Sequence, residues 1–191
     1  MYIITPERRA MLQTINWAEG SPDWNEAFNF IKFNNYGPHP NLHTPFGNDG
    51  DYSTAAGAYQ ILYSTWHSAI NALGLPDYMS PENQDQVAIY LIDIRGALYD
   101  VDNGNIENAI QKLSWEWASL PVVFSEVAYN GDYYEAGEGR YGQGVKSLDS
   151  LLDKYYDYLG TEPEQTMMLG GFAGIATIIF AGVVLSRRKH A

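Results

Sequence analysis

Cysteine is absent from all 191 residues, so neither disulfides nor thiol chemistry can contribute to fold or function. Histidine is scarce, limited to His39, His43, His67 and His190, and no pair has the spacing of a zinc motif. His39 and His43 are four apart, but they sit in a loop rich in proline and asparagine. The run Asp49-Gly50-Asp51 lacks the helix-flanked calcium loop that ends in glutamate, so it reads as a solvated turn. No metal and no cofactor is therefore expected. Positive charge is short as well. The 11 lysines and arginines face 23 acidic residues, and three of those 11 lie beyond residue 185, leaving residues 1–165 at a net −15. That field repels polyphosphate, which excludes nucleic acid as a partner. The N-terminus has no leading basic region and no adequate apolar run, so a signal peptide is not expected there.

What the chain has in quantity is aromatic surface, with 15 Tyr, 5 Trp and 7 Phe. This suits a groove that stacks flat ligands as well as it suits an ordinary core. Thr5-Pro6-Glu7 reads as an N-cap, a first-turn proline and an acidic first turn. Met11, Leu12, Ile15 and Ala18 then recur at helical spacing until Glu19-Gly20. Glycine suits the left-handed residue past a helix, which places Glu19 at the negative end of the macrodipole, beside Trp17. A carboxylate there has its ionised form disfavoured and its pKa raised, as a general acid requires. The competing reading is a surface glutamate at a fraying helix end.

From Ser21 to Thr54, Gly, Pro, Asn and Asp punctuation predicts long loops with at most a small irregular hairpin. Helical spacing returns over residues 55–73, again after Ser80-Pro81-Glu82 as far as Arg95-Gly96, over Ile106–Trp117, and from about Gln143 to Leu159. Residues 122–141 read as an exposed loop. Residues 1–160 thus form one mostly helical α+β domain with a small irregular β/loop lobe. Residues 161–166 read as a polar linker and 186–191 as a basic tail. Between them, Met167–Leu185 is a run of 19 uncharged residues that as a helix would span roughly 28 Å, the thickness of a bilayer core. It is read as a single C-terminal transmembrane helix in contact with membrane lipid. Gly170 and Gly174 form a GxxxG that favours weak self-association.

Four runs ask for one explanation: AEG at 18–20, GAYQI at 57–61, WASLP at 117–121 and RYGQ at 140–143. A glycosidase needs an acid beside the scissile oxygen and a groove of aromatics and amides for the flanking sugars. Glu19 supplies the first; Tyr59, Gln60, Tyr141 and Gln143 supply the second. With ERRAMLQTINWAEG, AAGAYQILYSTW, LGLPDYMSPENQDQVAI, RGAL and AIQKLSWEWASLP taken in order, the chain resembles the phage lambda lysozyme family of endolysins over about residues 7–159.

The resemblance implies a lysozyme-like fold and peptidoglycan glycan strands as partner. It also implies lytic transglycosylation of the β-1,4 bond between N-acetylmuramic acid and N-acetylglucosamine, giving a 1,6-anhydro end, with Glu19 as acid and then base. The residues agree in one respect: the pattern of phage T4-type lysozymes fails, since positions 28 and 34 are Phe and Asn. A muramidase using water would need a second carboxylate, for which Asp49 and Asp51 are the candidates. A non-catalytic wall-binding virion protein is the reading from a different class. Two departures stand out, a longer loop between WASLP and YGQ and the apolar C-terminal run. The latter predicts a membrane location, in the internal membrane of a virion or in the host inner membrane.

Overall fold

The computed structural model describes residues 1–20, 22–33, 37–46 and 50–160. Three of its helices start at side-chain caps, of which Thr5 and Ser80 are the predicted ones. Thr5 opens α1 (Pro6–Ala18), its hydroxyl accepting from the Arg8 N–H at 3.3 Å. Ser80 opens α3 (Pro81–Ile94) through the Asn83 N–H at 3.2 Å, and Ser147 opens α6 (Leu148–Leu159) through the Ser150 N–H at 3.3 Å. Each cap satisfies an N–H that the first helical turn leaves without a partner.

The helix α3 is central, with Gln84 through Ile89, Leu91 and Ile92 all buried. Packed against it are α1, α2 (Tyr63–Leu73) and α4 (Leu98–Asp102). The amphipathic α5 (Ile106–Leu113) buries Ile106, Ala109, Ile110 and Leu113. The last helix, α6, lies along α1 and fixes it through Leu151 and Tyr155. One core joins these faces, with Met11, Leu12, Ile15, Trp66, Ile89, Ile92, Ile110 and Leu113 fully enclosed.

Three antiparallel hairpins complete the α+β fold: β1 (Glu26–Ala27) with β2 (Ile31–Lys32), β3 (Thr44–Pro45) with β4 (Tyr52–Ser53), and β5 (Glu126–Val127) with β6 (Tyr133–Tyr134). The first two make the small lobe expected before residue 54. The third replaces the loop expected at 122–141. It closes at Asn130-Gly131, where Gly131 takes φ +91° and the Ala128 N–H donates to the Asp132 carbonyl at 2.8 Å.

Other helix boundaries differ from expectation for identifiable reasons. Residues 55–61 are not the start of α2. Ala56 and Ile61 exchange backbone hydrogen bonds at 3.1 and 3.0 Å around a tight turn, in which Gly57 has φ +78° and Gln60 φ +47°. Gln84 holds the turn: its Oε1 accepts from the Ala58 N–H at 2.9 Å, while its Nε2 donates to the Trp24 and Met79 carbonyls, each at 2.8 Å. The predicted helix 106–117 ends at Leu113, and the one predicted from Gln143 begins at Leu148, where Ser147 caps it.

The linker 161–166, the apolar run 167–185 with Gly170 and Gly174, and the tail 186–191 lie outside the described residues. Among the described residues no helix is long and apolar enough to cross a membrane.

Candidate active site

The site begins where α1 ends. Glu19 caps the helix with its N–H on the Ile15 carbonyl at 3.0 Å, and Gly20, at φ +94°, turns the chain away. The half-buried carboxyl thus stands at the negative helix end, as predicted. Burial raises its pKa above the ordinary carboxylate range, and the hydrogen bonding of Ser119 and the charge of Lys146 oppose that rise.

Ser119 and Lys146 come from distant parts of the chain. The Ser119 hydroxyl donates to Glu19 Oε1 at 2.6 Å, which fixes the rotamer of the acid. The Lys146 N–H donates to the Ser119 carbonyl at 3.0 Å, and its ammonium lies 4.8 Å from the centre of the Trp17 ring. Neither residue was singled out by sequence reasoning. Ser119 lies within the WASLP run, and Lys146 lies three residues after Gln143, so the neighbourhoods were visible but the side chains were not.

Three of the four runs are tied directly. Asn16 Nδ2, one turn before Glu19, donates to the Pro22 carbonyl at 2.9 Å and the Ala58 carbonyl at 2.8 Å. Trp117 Nε1 donates to the Tyr59 carbonyl at 2.9 Å. AEG, GAYQI and WASLP therefore meet through one set of hydrogen bonds. In the fourth run, Arg140 is buried. Its guanidinium lies 3.9 Å from the centre of the Trp115 ring and 4.9 Å from that of Tyr134, with Nε on Ser114 Oγ at 2.8 Å and Nη2 on Glu126 at 2.5 Å. This contact docks the β5–β6 hairpin on the end of α5.

The four residues expected to bind sugar are spread out. Tyr59 is 3% exposed; its hydroxyl donates to Asp85 at 2.5 Å, and burial raises its pKa. Its ring borders a cleft with Arg9, Asn16, Pro22 and Trp24 that Glu19 does not line. Gln60 braces its own turn, its Nε2 donating to the Gly57 carbonyl at 2.9 Å and the Glu26 carbonyl at 3.2 Å. Tyr141 is exposed and donates its hydroxyl to the Trp115 carbonyl at 2.8 Å. Gln143 is exposed on the segment leading to Lys146. Among the described residues, none of these four is hydrogen-bonded to Glu19.

Of the two alternative carboxylates, Asp49 lies outside the described residues and Asp51 is exposed at the β3–β4 end, its carbonyl accepting from the Phe46 N–H at 3.0 Å. Among the described residues no group of three His, Asp or Glu side chains is placed to hold a metal. His39 Nε2 bonds to the Ile61 carbonyl at 2.9 Å, and His43 stacks on Tyr52 at 4.2 Å between centres.

The comparisons with known proteins agree on one relationship. The endolysin of Escherichia phage lambda is 35% identical over 173 residues, covering 86% of this chain and 98% of the relative. The endolysin of Escherichia phage P2 is 41% identical over 124 residues, covering 63% of this chain and 65% of the relative. In three dimensions the chain is similar to the bacteriophage lambda lysozyme solved in complex with a chitohexasaccharide, at a TM-score of 0.70 and 33% identity. That match covers 84% of this chain and 99% of the other. A second structure of lysozyme from bacteriophage lambda gives a TM-score of 0.68, with 31% identity over the same shares.

These matches correct the expected location. The lambda endolysin is covered almost end to end, and the family match stops at residue 162, so the relationship brings with it no membrane-spanning segment. On that ground the virion or host membrane location is withdrawn, and nothing in the comparisons supports the lipid partner or the GxxxG contact. What remains is the acid at the end of α1 and the runs that converge on it. They lie within residues 9–162, which the endolysin family model matches, and the chain belongs to the endolysin family.

Proposed function

We propose that the chain, as an endolysin a peptidoglycan-degrading enzyme, breaks glycan strands by lytic transglycosylation, with Glu19 as its single acid and base. The observation that carries this reading is the setting of Glu19. Burial raises its pKa, Ser119 holds it, and among the described residues the ionic group acting on it is the Lys146 cation. A hydrolase would place a partner carboxylate about 5–9.5 Å away. A transglycosylase needs none.

In the first step the protonated Glu19 gives its proton to the glycosidic oxygen, and the bond from C1 of N-acetylmuramic acid to that oxygen breaks. In the second, the Glu19 carboxylate takes the proton of the muramic 6-hydroxyl as O6 bonds to C1. The acid is regenerated and the product is a 1,6-anhydro end. The chitohexasaccharide bound by the lambda relative supports an extended glycan in the groove.

Mass spectrometry of muropeptides released from purified peptidoglycan tests the reaction. Anhydro-muramic ends that disappear in Glu19→Gln are expected. Reducing ends would mean hydrolysis and direct attention to Asp49 and Asp51.

The Lys146 charge provides a second test. Activity requires protonated Glu19, so the rate falls as pH rises through its raised pKa. Lys146 lowers that pKa, and removing its charge raises it further. The alkaline limb of the pH–rate profile of Lys146→Gln is thus expected at higher pH than in the parent. An unmoved limb would mean that Glu19 does not set it.

A further inference from the structure

The connection between β1 and β2 is the three-residue turn Phe28–Phe30, and two of its residues are left-handed: Asn29 at φ 60°, ψ 30° and Phe30 at φ 58°. A hairpin turn that needs two positive φ angles in succession is ordinarily filled by Asn-Gly, because glycine has no Cβ to meet the carbonyl oxygen. Asparagine is present here, but phenylalanine stands in the place of glycine. A bulky residue in this conformation is strained, because its Cβ crowds the carbonyl oxygen.

Among the described residues no core packing offsets that strain. Phe30 is 61% exposed and is not among the side chains packed on the core. Among the described residues no other ring pairs with it, whereas its neighbour Phe28 meets Phe46 edge-on at 6.2 Å. The ring does have a definite place. A Cβ on Gly20 would stand 3.4 Å from Phe30 Cζ, so the phenyl group leans over the backbone immediately after Glu19. An exposed, strained aromatic held over Gly20, the residue that follows the acid, is a feature whose benefit points to a ligand.

We propose that Phe30 is a substrate-contacting residue, a phenyl platform that takes the C–H face of an N-acetylhexosamine ring next to the scissile bond. The chemistry fits: one face of a pyranose presents C–H groups, the π face of phenylalanine carries partial negative charge, and an aromatic side chain fixes a large contact area with only two torsions. The inference rests on the glycan-cleaving reading above.

Full-length Phe30→Gly and Phe30→Tyr test it, with three measurements on each: calorimetric affinity for an N-acetylglucosamine hexasaccharide, KM and kcat on purified peptidoglycan, and Tm. Phe30→Gly is expected to bind the hexasaccharide roughly tenfold more weakly, as loss of one aromatic contact implies, and to raise KM similarly with little change in kcat. Its Tm should equal or exceed the parent's, because glycine relieves the turn. Phe30→Tyr keeps the ring and should keep the parent's affinity. Parental affinity and KM in Phe30→Gly would overturn the platform while leaving the glycan-cleaving reading intact. A lowered Tm with kcat and KM both impaired would make Phe30 a structural residue. If the parent itself neither bound the hexasaccharide nor cleaved peptidoglycan, the glycan-cleaving reading would fall, and the platform with it.

Discussion

Glu19→Gln is expected to lower peptidoglycan cleavage by roughly 10³-fold, the scale of a lost general acid, and at the same time to make the protein harder to melt at pH 7. The two effects have one origin. The carboxyl is half buried at a helix C-terminus, where its charge is disfavoured, so the folded protein holds the Glu19 proton more tightly than the unfolded chain does. A group whose pKa is raised on folding contributes stability below its unfolded pKa and loses that contribution as pH rises through the folded pKa. Glutamine carries no charge to disfavour and can still accept from Ser119. The gain is of the order of 1 kcal/mol for a helix-terminus charge, or about 2–4 °C in Tm for a domain of this size. It should shrink towards nothing at about pH 3.5, where the parent is protonated as well. Melting curves at the two pH values check the sign. An inactive variant that melted below the parent at pH 7 would show that Glu19 serves the fold rather than the reaction.

Gly57→Ala is expected to be the most damaging methyl group that can be added to the described part of the chain. Gly57 has φ +78°, and a Cβ there would lie 2.2 Å from Gln84 Oε1 and 2.8 Å from its Cδ. Gln84 cannot move aside cheaply, since it is buried and its amide serves Ala58, Trp24 and Met79. Left-handed strain, overpacking and a broken buried network together give about 3–5 kcal/mol, or a fall in Tm of roughly ten degrees. Thermal denaturation measures it. In a Gln84→Ala background the same substitution should cost much less, because the atoms it strikes are gone. Equal costs in both backgrounds would place the strain in the backbone alone.

Both predictions involve features that differ in how well the sequence reveals them. The position of Glu19 was readable because its cause is local, an apolar stripe that stops at Glu-Gly. The caps at Thr5 and Ser80 were readable for the same reason, whereas the Ser147 cap, four residues beyond the expected start at Gln143, was not. The turn at 56–61 was not. Ala55, Ala56 and Ala58 are strong helix formers, and what overrides them is an amide on another helix that claims the Ala58 N–H. Tyr59 was expected at the sugar, and its hydroxyl is taken by Asp85; a tyrosine looks the same in sequence whether its hydroxyl is free or held in this way. Strands of two residues, as in β5 and β6, are too short to show alternation. Ser119 and Lys146 carry no local mark at all. Their importance comes from where the chain folds back.

The fold-back also has a kinetic consequence. The hydrogen bonds that bring the runs together join residues 42, 58 and 100 positions apart in the chain. Contacts of such separation form only after large loops have closed, which places them late and makes folding slower than in a bundle built on near neighbours. During synthesis the acid at position 19 emerges long before the hydroxyl that orients it. Whatever the Glu19 carboxyl does with the help of Ser119 therefore waits until the chain has been made at least as far as position 119.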